Sequence, residues 1–189
     1  MLEFRVRHFG AALLAFGPLS ALAHPGHDLA GATAGFAHPF LGLDHLLAMV
    51  AVGLWAGRIG GAARWQLPAV FLGAMTVGAG LGLTGAHLPG LETGIAASVL
   101  ALGLLAAASL RLPAALRPVL VAAFALLHGL AHGAELPAGT GAVTYVLAFL
   151  TATALLHGIG LLLAVRLSAR WQPWLGAAVA LAGAGLLVS

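Results

Sequence analysis

Nothing constrains this chain more than its alternation of long apolar runs with short breaks rich in Gly, Pro and Arg. Six runs follow the first 35 residues, at roughly 36–57, 66–86, 92–110, 117–134, 142–165 and 171–188. A membrane-spanning helix needs about 20 mostly apolar residues. The breaks fall at Gly60-Gly61, Pro89-Gly90, Pro113, Pro137 to Gly141 and Arg170 to Pro173, where helices end readily. Composition agrees: 61% of residues are hydrophobic and 7% charged, against about 25% charged in a soluble domain. So little polar surface cannot cover such a core in water. The expected fold is all-α, a polytopic membrane protein of six transmembrane helices.

The first segment reads as an address. Arg5, Arg7 and His8 open it, an apolar run follows from Phe9 to Leu19, and Ala21-Leu22-Ala23 offers a small-x-small cleavage pattern. Residues 1–23 are therefore expected to be a cleavable signal peptide, with 24–189 as one six-helix domain. Cleavage would leave His24-Pro25-Gly26-His27-Asp28 as the new amino terminus.

Arginine sets the orientation. With the mature amino terminus outside, Arg58 and Arg64, Arg111 and Arg117, and Arg166 and Arg170 all fall in inside loops. The segments Thr84 to Glu92 and Gly133 to Gly141 contain no arginine. This is the positive-inside pattern, and six spans with both ends outside satisfy it. Scattered arginines without clusters argue against nucleic acid binding. The absence of cysteine excludes disulfides, thiolate metal sites and thiol nucleophiles.

Against this background the polar residues stand out. Ionisable groups within a membrane are costly unless paired or wet, and point by default to function. "HPFLGLDHLLAM" opens the first span with His38, Asp44, His45 and Met49. On one continuous helix His38 and His45 would differ by about 20° and Asp44 would lie about 12 Å deep. "LLHGLAHGAE" puts His128, His132 and Glu135 at i, i+4 and i+7 of the fourth span. Two histidines at i, i+4 can grip one metal ion from a helix. His157 stands alone in the fifth span, where an interhelical hydrogen bond is the bland alternative. Met49 has ordinary core packing as its alternative. Gly78 with Gly82, and Gly129 with Gly133, are small-xxx-small pairs suited to close helix packing.

The donor set selects a class of guest. Imidazole suits zinc, copper, iron and nickel, while scarce methionine and absent cysteine argue against copper(I). Spacing leaves nickel, cobalt and zinc open. Two further classes remain: an intramembrane metal-dependent hydrolase with Glu135 as general base, and a bis-histidine haem protein. No His-Glu-x-x-His motif supports the former.

His38-Pro39, Gly42, Asp44-His45, Ala48-Met49, Val52-Gly53 and Trp55-Ala56 together resemble the first-span signature of the HupE/UreJ family. "HGLAHGAE", "LLHGIG" and a signal followed by "HPGHD" resemble its other features. The resemblance covers essentially the whole chain. It implies nickel uptake across the bacterial inner membrane, with cobalt in some members, in support of hydrogenase or urease maturation. Carried over by motif, the functional residues are His38, Asp44, His45, Met49, His128, His132, Glu135 and His157. A looser likeness to the larger nickel/cobalt permeases departs from their His-x4-Asp-His hallmark, since five residues separate His38 from Asp44.

The expected protein is thus a secondary transporter and not an enzyme. Metal would be captured outside by His24, His27 and Asp28, pass to His38, Asp44, His45 and the fourth-span histidines, and reach His157 later. No permanently bound cofactor is expected. Its partners would be the bilayer, the divalent ion and cytoplasmic nickel chaperones that receive it.

Overall fold

The computed structural model describes residues 27–108, 110, 112–136 and 141–189, with side chains from residue 31 onward. The expected signal peptide, His24 and Arg111 lie outside the described residues, as do the side chains of His27 and Asp28. The described chain is all-helical, in the order α1 (His27–Leu41), α2 (Leu43–Ile59), α3 (Ala63–Leu83), α4 (Leu91–Ala108), α5 (Leu116–Ala134), α6 (Ala142–Arg166) and α7 (Gln172–Val188). By length and apolarity α3, α4, α5 and α6 can each cross a membrane. The bent pair α1–α2 passes the same test jointly, and α7 is an apolar helix of 17 residues.

The expected continuous helix over 36–57 is corrected. The chain bends by 80° between α1 and α2. Pro39, inside α1, has no amide to donate to the helix ladder. Gly42 then leaves the helix with φ −90° and ψ 116° and begins α2. A Cβ at Gly42 would press on Asp44 Oδ1 and His45 Nδ1, each at 3.0 Å. The residue is small where the Asp44 and His45 side chains fold back over it. The angular and depth relations expected from one straight helix therefore fail between His38 and the Asp44–His45 pair.

Small residues set the helix pairing. On α3 and α5, which run parallel, Gly78 and Gly82 meet the backbone of α5 from Leu126 to Ala134, while Gly129 and Gly133 meet α3 at Met75 and Ala79. A Cβ at any of these four would collide with backbone. In lipid, where no hydrophobic effect drives helices together, such close approach supplies the packing contacts. Helix α2 lies parallel to α6 in the same way, with Gly53 on the His157 carbonyl and Gly160 on that of Val50. Helix α7 pairs antiparallel with α4.

The arrangement has two chemically opposite ends. Asp44 and Glu92 begin α2 and α4, and Glu135 follows α5 directly. At the other end Arg58 closes α2, Arg117 begins α5 and Arg166 closes α6. Exposed Trp65, Trp171 and Trp174 gather there too, where interfacial aromatic residues anchor helices in headgroups. Between the ends, outward-facing Val77, Leu104, Leu155, Leu162 and Leu181 form an apolar exterior.

Candidate metal site

The acidic end opens into a cavity of about 190 Å³ bordered by His38, Asp44, His45, Glu92 and Glu135. Side-chain exposure falls along its wall, from 57% at Glu135 and 31% at His38 to 23% at Asp44 and 10% at His45. His132 is buried behind them, and His128 and His157 are buried more completely. The polar groups thus form a graded series from solvent to interior.

His132 is the hinge of the outer group. Its ring centre lies 4.8 Å from that of His38 and 4.0 Å from that of His45. The bend at Gly42 makes this possible, because it lets α1 and α2 approach one imidazole from two directions. His38 Nε2 stands 3.6 Å from Glu135 Oε2. One ligand atom from each of His38, His132 and Glu135 lies within 4.8 Å of the others. Metal–ligand bonds of about 2.1 Å place neighbouring ligand atoms about 3 to 3.5 Å apart. A contraction of about 1–2 Å would close the group on an ion, within the reach of side-chain rotation at a half-exposed histidine. Phe149, itself buried, packs against the His132 ring at 4.3 Å.

Asp44 does not stand alone in the membrane. Its Oδ1 accepts the His45 amide at 2.8 Å, one of the donors a helix start leaves free. The same oxygen lies 2.9 Å from His45 Nδ1. A carboxylate on one imidazole nitrogen fixes the tautomer and leaves the other nitrogen as a lone pair, the arrangement that supports histidine ligands. In this geometry Asp44 is the partner of the His45 imidazole.

Deeper in, His128 Nε2 meets Ser98 Oγ at 2.8 Å. His157 Nδ1 donates to the Met49 carbonyl at 2.7 Å, one turn beyond His45 on α2. Met49 itself is fully buried in the apolar core and does not line the cavity. Phe71, also fully buried, touches both inner histidines, with centroids 6.0 Å from His128 and 4.9 Å from His157.

Three of these neighbours escaped sequence reasoning. Glu92 stands at the boundary between a break and the run 92–110 and is not among the expected site residues, yet it lies in the first turn of α4 and borders the cavity. Its signal was available: an acid at the mouth of a span, on the histidine side, in a chain with 5 acids in all. Ser98 and Phe71 carried no such signal, because serine and phenylalanine are ordinary residues in a spanning helix.

An all-helical, multi-pass membrane protein with a histidine–carboxylate cavity at one end is the class these features define. The family model described as HupE / UreJ protein matches residues 11–187. Protein HupE of Rhizobium leguminosarum bv. viciae is 47% identical over 175 residues, covering 90% of this chain and 92% of that relative. No solved structure matches the chain. The chain belongs to the HupE/UreJ family, as its motifs implied.

Proposed function

We propose that this protein is a permease that carries a divalent transition-metal ion, nickel first among the candidates, across the bacterial inner membrane into the cytoplasm. One observation carries the reading. His132 is buried, and neither of its ring nitrogens has a hydrogen-bond partner among the described residues. Leaving a buried polar group unsatisfied costs about 1–3 kcal/mol. An imidazole kept in that state beside His38, His45 and Glu135 is a ligand held ready for a cation.

The cavity end faces the periplasm in this reading, since the arginine-bearing ends belong on the cytoplasmic side. The amino-terminal segment acts as a cleaved signal, and His24 and His27 gather metal at the mouth. The ion enters by Glu135 and His38, exchanges water for imidazole at His132 and His45, and continues past His128 and His157. The membrane potential favours inward movement by about 2.3 kcal/mol per charge per 100 mV. Released metal passes to cytoplasmic chaperones serving hydrogenase or urease. Imidazole ligands of borderline softness fit nickel, cobalt and zinc alike, so family membership ranks nickel first.

The test is radioactive nickel entry into sealed proteoliposomes under an imposed inward-negative potential, with cobalt and zinc as competitors. Saturable entry that disappears in His132→Ala is expected. Vesicles that show no nickel entry with correctly inserted protein would overturn the reading.

A further inference from the structure

The proton positions on the inner histidines follow from their partners, and they define a second station. Ser98 is fully buried and makes two short contacts, 2.7 Å to the Ile95 carbonyl and 2.8 Å to His128 Nε2. A hydroxyl has one proton and a carbonyl has none. At 2.7 Å two oxygens with no proton between them repel. The Ser98 proton therefore lies on the bond to Ile95, and the hydrogen of the second contact comes from His128. His128 is then protonated on Nε2, and in the neutral ring Nδ1 is a bare lone pair. That nitrogen is buried without a hydrogen-bond partner among the described residues.

The same accounting applies to His45. An ionised carboxylate only accepts, so the 2.9 Å contact with Asp44 places the His45 proton on Nδ1. Its Nε2 is a lone pair, also buried and unpartnered among the described residues. The His45 and His128 rings stand 4.7 Å apart at 87°. Two adjoining imidazoles, each fixed by a neighbour on its far nitrogen, thus each keep a buried acceptor nitrogen. The two nitrogens cannot hydrogen-bond to each other, because neither carries a proton.

We propose that His45 Nε2 and His128 Nδ1 form a second cation station beneath the cavity, with Ser98 as the positioning residue that fixes the His128 tautomer. This rests on the permease reading and gives it a mechanism of transfer. His45 belongs to both groups, 4.0 Å from His132 and 4.7 Å from His128. An ion can hold His45 while it exchanges His132 for His128, so it is never without an imidazole. A pair of neutral nitrogens takes borderline divalent ions and rejects alkali and alkaline-earth cations, which prefer oxygen. The station is therefore a selectivity step, and the outer group with Glu135 is a capture step.

The experiment uses the full-length protein in lipid nanodiscs with ¹⁵N-labelled histidine and zinc as a diamagnetic probe. The His128 signals are assigned by their loss in His128→Gln. In the wild type, Nδ1 of His128 is expected to show a non-protonated signal that moves on zinc saturation. Ser98→Ala is expected to mix the two tautomers and weaken zinc binding at this station about tenfold, in the range found for outer-shell partners of metal-binding histidines. A protonated His128 Nδ1 in the wild type overturns the proposal, as does zinc saturation that leaves its signal unmoved. Should Ser98→Ala fail to accumulate, a second pair decides. His128→Asn places an amide oxygen where Nδ1 was and is expected to retain more nickel uptake than His128→Gln, whose amide lies nearer the Nε2 position. The reverse order overturns the station. Zinc that moves His38 and His132 signals but not those of His128 removes the second station and leaves the permease intact. A His128 response to zinc in a protein that passes no metal supports the station and removes the permease reading.

Discussion

The two ends of the helical bundle treat polar side chains in opposite ways. At the arginine end the polar side chains reach main-chain carbonyls. Arg58 donates to Ala106 and Ala107 at the close of α4, and Arg117 donates to Leu112. Gln172 donates to Ala164 and Leu167, where α6 ends, and Trp55 donates to Leu110. The Arg58 and Gln172 bonds satisfy carbonyls that the ends of α4 and α6 leave open, and the Arg58 cation complements the dipole at the close of α2. At the histidine end the interior nitrogens of His45, His128, His132 and His157 include atoms with no such partner among the described residues. Saturated polar groups build the fold. Unsaturated imidazoles, kept at a cost in stability, are the groups that the proposed permease would use to hold its ion.

His132→Ala tests this contrast most sharply. It should abolish nickel uptake, a loss of at least about a hundredfold for a ligand shared by the outer group. It should leave the melting temperature of the purified protein unchanged or higher, because an unsatisfied imidazole has been removed. Loss of uptake through loss of protein would instead make His132 a structural residue.

Asp44→Asn comes next. An amide can offer the His45 ring either a donor or an acceptor, so the tautomer is no longer dictated. Uptake should fall about ten- to a hundredfold, with normal membrane levels on immunoblots. Unchanged uptake would separate Asp44 from the metal path.

The paired variant of His128 and His132 measures whether the two histidines act as one site. Geometry divides them, His132 with His38 and Glu135, His128 with Ser98. Both rings also touch His45, so the losses in zinc affinity from the single alanine variants should add in part, with the double variant weaker than either single. A double variant no worse than either single would merge the two stations.

His157→Ala should move both readouts. The lost bond to the Met49 carbonyl costs about 0.5–1.5 kcal/mol of stability, and uptake should drop several-fold beyond what protein level explains. His157→Asn, which can still donate from a position near Nδ1, should recover most of the stability.

Arg58→Gln has the smallest expected effect. It weakens the closure of α4 by about 0.3–1 kcal/mol, visible in the melting temperature, while uptake per molecule stays at the wild-type value. A strong transport defect with normal stability would place function at the arginine end as well.

Much of this protein was legible in its sequence because lipid imposes simple rules. Apolar runs must be helices, since an unsatisfied backbone is intolerable in a bilayer. The runs at 66–86, 92–110, 117–134 and 142–165 correspond to α3, α4, α5 and α6 within a few residues. Gly78, Gly82, Gly129 and Gly133 were recognisable as packing positions from their spacing alone, and they meet one another in the α3–α5 pair. Histidine and carboxylate in such runs announce themselves by rarity.

Sequence by itself thus determined the helical runs from residue 66 onward, the chemistry of the donors and the family. Periodicity describes one helix at a time, and there it reached its limit. A proline and a glycine before Asp44 did not reveal an 80° bend, because either residue is tolerated within spanning helices. Only the tertiary structure brought His38 and His45 to His132 from two sides of that bend, and placed Glu92 at the cavity. It also put Ser98 beside His128 and the Met49 carbonyl beside His157. Such contacts join residues far apart in the chain, and which imidazole nitrogen carries the proton depends on them.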